Sequence, residues 1–197
     1  RALFYNRNEV YADLGFDTFT SVEYMNNVSF TPTNWCKDTV LTNEIMEIMK
    51  QTKERDLLHV ISVEGHGGYP TEKVFKNPYT EITADDEDTK WKYEYYFNEM
   101  HEMDNFIGDL IEEIEASGEP TVMVIYGDHI PAIDVKEENY SQKDLYTTRY
   151  VIWDNIGLPK EDRDIHSYQA GAMLLDAAGL DHEGILFDYQ QSNSPKE

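Results

Sequence analysis

A single cysteine, Cys36, stands in a chain of 197 residues, so no disulfide framework, no zinc knuckle of paired Cys-x-x-Cys and no redox couple can be built from it. No run approaches the roughly 18 apolar residues of a membrane span. The opening stretch RALFYNRNEV lacks the apolar core of a signal peptide. Basic residues are scarce: 16 Lys and Arg face 39 Asp and Glu, a formal charge of -23 at neutral pH, and they are not clustered. Such a field repels a polyanionic backbone, so nucleic acid is not an expected partner. GxGxxG, Walker and GxSxG signatures are all missing, which removes the motif-based case for dinucleotide, P-loop and serine-hydrolase chemistry. There is no internal repeat, and only the acidic patch TADDEDTK and the polar tail QQSNSPKE stand out as locally biased.

What is present suits a packed globule. Hydrophobic residues make up 40% of the chain and aromatics 13%, enough for a sizeable core. The length fits one α/β domain, so residues 1–197 are read as a single domain with a loosely ordered tail from about 188 to 197. The chain opens on Arg1 rather than Met, and a processed or excised piece is therefore expected.

Apolar residues at helical spacing in LTNEIMEIMKQTK predict an amphipathic helix over 41–53. LLHVISV, bounded by Arg55 and Asp56 on one side and a glycine cluster on the other, predicts a buried strand over 57–63. Residues 88–116 repeat apolar side chains at three and four, with Gly118 and Pro120 as a stop, and predict a long helix. TVMVIYGD and TTRYVIWDN predict two more strands, and SYQAGAMLLDAAGL a small-residue helix closed by Gly179. Strand, helix, strand, strand, helix is an α/β alternation.

In an open α/β sheet, ligands bind beyond the carboxyl ends of the strands. LLHVISV leads there to Glu64 and His66, and TVMVIY to Asp128 and His129. Neighbouring strand residues point to opposite faces, so Asp128 and His129 can face one ion only if the chain bends, and Gly127 is placed to allow it. A carboxylate beside an imidazole suits Mn or Zn, with Mg possible where the imidazole is weakly engaged. Two ligands are too few for a complete site, and a strand-end Asp capping a turn beside a solvated His is the competing reading. His66, between glycines, is either a ligand contact or a turn histidine. Arg7 could pair bidentately with a phosphate, with Tyr5 packing on the apolar part of the ligand, or it could form a surface ion pair. His101 and Asp104 read as part of a solvated helix face. Met46, Met49, Met100 and Met103 read as core, and Thr31 and Thr33 as turn residues.

Taken in order, FYNRNEVYADLGFDTF, ISVEGHGGYPTE, YYFNEMHEMDNFIGDLIEEIE and MVIYGDHIP resemble the lipoteichoic acid synthase and phosphoglycerol transferase group of sulfatase-type enzymes, over roughly residues 3 to 180. The resemblance implies an α/β fold with an alkaline-phosphatase/sulfatase-like sheet flanked by helices, incomplete at its N-terminal side. It implies chemistry in which a metal-activated threonine attacks a phosphodiester and forms a phosphoglyceryl-enzyme, later resolved by an acceptor hydroxyl or water. Asp128 and His129 match the paired metal ligands of the group, for one divalent metal, with Mn first and Zn or Mg as alternatives. His66 matches its substrate-contacting histidine and Arg7 its phosphate-contacting arginine.

The sequence departs from the group in three places. Tyr5 stands where tryptophan is common, and Gly67-Gly68 replaces a more usual glycine-proline. The nucleophilic threonine and the acidic metal ligand of the group precede the FYNR motif, so no catalytic nucleophile is assigned within these residues and the chain alone is expected to be inactive.

The implied substrate is a phosphatidylglycerol-type headgroup or a glycerol-phosphate polymer, handled at the extracytoplasmic face of a bacterial membrane to which N-terminal helices of a parent protein would anchor it. An exposed sheet edge would call for the missing N-terminal part or self-association to cover it. A non-catalytic anion- or metal-binding domain of the same fold, and a sulfatase or phosphodiesterase of the same superfamily, are the competing functions.

Overall fold

The structure, a computed structural model, describes residues 1–133, 145–180 and 184–192. Among these, seven α-helices and strands follow one another: α1 (Arg7–Asp13), α2 (Thr39–Gln51), α3 (Glu87–Ser117), β1 (Val122–Tyr126), β2 (Tyr150–Asp154), α4 (Ala170–Ala177) and α5 (Ile185–Ser192). This is a mixed α/β chain with a small antiparallel sheet. It divides into two compact units, Arg1–Glu113 with Pro131–Val135, and Ile114–Ile130 with Lys136–Glu197. No helix among the described residues is long and apolar enough to cross a membrane.

In the first unit, the helical periodicity of the sequence is realised. Val40, Ile45 and Met46 of α2 are buried. Along α3, Tyr95, Asn98, Glu99, Phe106 and Leu110 are buried, at the spacings of three, four and seven that line one helix face. Asp86 caps α3 by accepting the backbone N–H of Thr89 at 2.8 Å, and Glu87 and Asp88 add negative charge to its first turn, where the helix dipole favours it. Gly118, at φ 71°, stops α3 because a left-handed residue there carries no Cβ penalty. Tyr95 is fully buried, stacks on Phe75 at 5.7 Å and shares a 2.6 Å hydrogen bond with the Thr33 hydroxyl. Both ends of that side chain, apolar ring and polar tip, are therefore satisfied.

The strand predicted over 57–63 does not form. These residues belong to no strand, and Leu57, Val60 and Ile61 are 59%, 43% and 36% exposed. A β-branched run becomes a strand only when a neighbour takes its backbone groups and covers its faces, and no described segment pairs with it.

In the second unit, β1 and β2 pair antiparallel with Val122 opposite Asp154, Val124 opposite Ile152 and Tyr126 opposite Tyr150. Asn155 ties the start of β1 to the end of β2: its Oδ1 accepts from the Thr121 N–H at 2.8 Å and its Nδ2 donates to the Glu119 carbonyl at 2.8 Å. Asp154 closes β2 by accepting three successive backbone N–H groups, from Ile156, Gly157 and Leu158, at 2.7 to 3.0 Å. α4 packs against β1 and α5, burying Ala172 and Met173, and Gln169 donates to the Gln190 carbonyl at 3.1 Å. Residues 188–192, placed in the tail by sequence, are the end of α5. Residues 193–197 lie outside the described residues.

Candidate functional site

In the first unit, Tyr5 and Arg7 lie at the entry to α1 and line a cavity of about 420 Å³ together with Tyr11, Phe16 and His59, among others. Tyr5 and Asn6, which precede Arg7, hold left-handed backbone angles of φ 54° and 51°. Each non-glycine residue in that region costs roughly 1 kcal/mol, so the approach to Arg7 is a strained turn rather than a relaxed one. The Arg7 guanidinium sits 5.3 Å from the centre of the Phe4 ring, a cation–π contact. Tyr5 is 79% exposed, presenting its ring outward. His59, from the run that sequence reading assigned to a strand, packs its ring against Tyr11 at 5.5 Å. Burial and then the Arg7 charge hold its imidazole below the usual histidine range.

His66 sits at the exposed end of a turn whose every residue is fixed. Its own N–H bonds the Val63 carbonyl at 3.0 Å. The Val63 and Glu64 N–H groups both donate to the buried Asp38 carboxylate, at 2.9 and 3.0 Å, and Glu64 Oε2 accepts the Asp38 N–H at 2.8 Å in return. The Gly65 carbonyl accepts from the Tyr69 hydroxyl at 3.1 Å, and the Gly67 carbonyl from Trp35 Nε1 at 2.8 Å. The Trp35 ring lies 4.0 Å from that of His66. Gly68 is at φ 104° and a Cβ on Gly65 would come 3.3 Å from the Met100 sulfur, so glycine serves conformation at one position and closeness at the other. The result is an imidazole on a rigid mount.

Trp35 and Asp38 carry this arrangement, and neither was singled out by sequence reading. Asp38 stands just ahead of α2, and its partners Val63 and Glu64 lie about 25 positions away. Burial lifts the Asp38 carboxyl to about 6, against the lowering effect of the two N–H bonds.

In the second unit, β1 ends at Tyr126 and delivers Asp128 and His129 two and three residues later. Gly127 remains tied to the segment leading into β2: its N–H bonds the Arg149 carbonyl at 3.2 Å and its carbonyl accepts from the Thr148 hydroxyl at 2.7 Å. The turn beyond it therefore does not use a left-handed glycine, since Gly127 is not among the positive-φ residues. Both side chains are exposed, Asp128 by 82% and His129 by 69%, with Oδ1 and Nε2 3.7 Å apart. His129 Nδ1 lies 2.9 Å from the Ile130 carbonyl. A carbonyl can only accept, so Nδ1 carries a proton, and in the neutral ring the lone pair lies on Nε2. Two donors 3.7 Å apart can both sit about 2.0–2.2 Å from one ion, so the pair fits half of a divalent-metal site. Among the described residues no group of three or more His, Cys, Asp or Glu is arranged to hold a metal.

The remaining candidates are structural. His101 stacks on Tyr79 at 3.5 Å and 9° and pairs with Asn105 at 3.3 Å, an interaction along α3 rather than a ligand set with Asp104. Thr31 Oγ1 accepts from the Trp35 N–H at 3.1 Å, a turn contact.

The chain resembles known proteins over most of its length. A Rhizobium meliloti (strain 1021) protein named for cyclic beta-1,2-glucan modification is 25% identical over 91% of this chain and 30% of its own length. The Streptococcus pyogenes phosphoglycerol transferase GacH, solved in complex with sn-glycerol-1-phosphate, has the same fold, with a TM-score of 0.76 and 19% identity across 100% of this chain and 54% of that one. The chain thus spans about a third and about half of the lengths of these two proteins. The Sulfatase family profile matches residues 1–180, nearly the whole chain and both units, and the chain belongs to the Sulfatase family.

Proposed function

We propose that this chain is part of a metal-dependent phosphoglycerol transferase or phosphodiester hydrolase acting at the outer face of a bacterial membrane on phosphatidylglycerol-type or glycerol-phosphate substrates. The observation that carries the reading is the Asp128–His129 pair: a carboxylate and an imidazole 3.7 Å apart, with the imidazole tautomer set by Ile130, in a chain of the Sulfatase family. The fold shared with GacH, a phosphoglycerol transferase solved with sn-glycerol-1-phosphate, supports the choice of substrate class within that family.

Asp128 and His129 would hold one divalent ion, with Mn favoured and Zn or Mg as alternatives. When bound, such an ion supplies Lewis acidity and lowers the pKa of a hydroxyl that it binds. The chain's own residues bind and orient. Arg7 offers a planar fork of donors suited to phosphate oxygens. Tyr5 offers an aromatic wall to the organic part of the ester, and His66 brings a ring nitrogen on a mount that needs no reorganisation. No residue among these 197 is assigned as the nucleophile.

The test is release or transfer of glycerol phosphate from phosphatidylglycerol vesicles by the intact protein, with Arg7→Ala and His66→Ala compared. Each substitution is expected to lower kcat/KM by about 100-fold, the usual effect of removing one charge-stabilising contact. An intact protein that binds glycerol phosphate but turns nothing over supports instead a non-catalytic anion-binding domain. Preferential turnover of sulfate esters points to a sulfatase.

A further inference from the structure

Beside the His66 turn lies a group of acids that the proposed chemistry does not use. Glu64 is fully buried and Glu99 is 1% exposed. Glu64 Oε1 and Glu99 Oε2 are both buried without a hydrogen-bond donor. The groups facing them are Cys36, Lys37 and Asp38 ahead of α2, and Tyr95 and Glu102 on α3. Lys37 is the one cation in that set. Its Nζ lies 3.6 Å from Glu64 Oε1 and 3.0 Å from Glu102 Oε2, so it is divided between two carboxylates and offsets the charge of Glu99 only in part. Two ionised carboxylates cannot share a dry site, because each removes the hydration that would screen the other. A proton on one of them changes an orphaned acceptor into a donor and satisfies both oxygens.

We propose that Glu64 and Glu99 share one proton as a carboxylic acid–carboxylate pair, and that this shared proton seats the turn carrying His66 against α3. Glu64 is two residues from His66 and is locked to Asp38 through both its N–H and its Oε2, so a displacement of its side chain is transmitted to the turn. Burial first, then the charge of Glu64 and a hydrogen bond to it, lift the Glu99 carboxyl to about 8, with Lys37 pulling the other way. Between 4.5, the ordinary value, and about 8 the folded chain holds the proton and the unfolded chain does not. Stability therefore declines as pH rises through that window and levels above it. On leaving, the proton passes to solvent and two like charges remain in the buried pair.

The experiment is a pH titration of the intact protein with carboxyl-labelled glutamate, followed by NMR alongside the backbone amides of His66 and Gly67. One glutamate is expected to titrate near pH 8, and the two amides are expected to shift with the same midpoint. Glu99→Gln, which keeps a donor for Glu64 and has no titrating proton, removes both transitions while leaving the amides near their low-pH positions. Glu64→Gln moves the midpoint down, because the charge holding the proton is gone. A wild-type protein with no glutamate titrating above neutral pH overturns the shared proton. Amides indifferent to that midpoint overturn the coupling to His66.

The consequence for catalysis rests on the role proposed for His66: the transfer rate of the wild type falls as pH passes about 8, and Glu99→Gln lacks that limb. The NMR readout needs no metal, lipid or turnover, so a failure of the proton pair and a failure of the proposed chemistry are seen separately.

Discussion

Replacing Asp38 by alanine tests the mount of His66 directly. The Asp38 carboxylate accepts two N–H groups, a half-buried one from Val63 and a buried one from Glu64, at 2.9 and 3.0 Å. Leaving two donors unpaired costs roughly 2–6 kcal/mol, at about 1–3 kcal/mol each. Against this, the carboxylate is itself poorly solvated: its rise from 3.8 to about 6 corresponds to about 3 kcal/mol at neutral pH, which the substitution relieves. The net effect at pH 7 thus lies between roughly 1 kcal/mol of stabilisation and roughly 3 kcal/mol of destabilisation. The pH dependence gives the sign. Because the folded value is raised, the Asp38 contribution is largest below 3.8 and is lost as pH climbs to about 6. The gap between wild type and Asp38→Ala therefore widens at pH 4.5 by about 2 kcal/mol relative to pH 7. Urea denaturation of both proteins at the two pH values measures it, with unchanged m-values as the check that the same surface unfolds. A gap that is wider at pH 7 than at pH 4.5 refutes the reasoning, as does an alanine variant with wild-type stability at both.

Other substitutions follow the same logic. Trp35→Phe keeps a ring beside His66 but removes the Nε1–H donor to Gly67. A loss of about 1 kcal/mol in denaturation, with a smaller loss of glycerol-phosphate transfer than His66→Ala, is expected. Asn98 is 5% exposed and bridges α3 to Tyr79 and Thr80 through three bonds of 2.6 to 3.1 Å. Asn98→Ala is expected to cost about 2–4 kcal/mol, and proteolysis near residue 79 reads the loosening. In the second unit, Thr148→Val removes the hydroxyl bond to the Gly127 carbonyl. It is expected to weaken divalent-metal affinity several-fold while leaving the sheet intact, measured by calorimetry and circular dichroism.

Periodicity made α2, α3 and α4 legible in the sequence, because each buries a face that its apolar spacing marks, and β-branched runs marked β1 and β2, which are only partly covered. The run LLHVISV carries an equally strong signal and forms no strand. Its β-branched residues state a preference for pairing, and pairing depends on a neighbour that local sequence does not specify. Asp128, His129, Arg7 and His66 stood out as candidates in ordered motifs. The residues that hold the His66 turn did not. Trp35 and Asp38 act through contacts to Gly67, Val63 and Glu64 far along the chain, and Glu64, a polar residue at the end of an apparent strand, gave no sign that its carboxylate is fully buried beside Glu99. Burial of an acid is a property of packing between segments, which composition and spacing do not carry.

The central claim is that Asp128 and His129 are metal ligands. Calorimetric titration of Mn and Zn into the metal-free intact protein, and into Asp128→Ala and His129→Ala variants, tests it most directly. Wild type is expected to bind one ion, with each substitution lowering affinity at least 100-fold. Equal affinity in all three proteins would contradict the account.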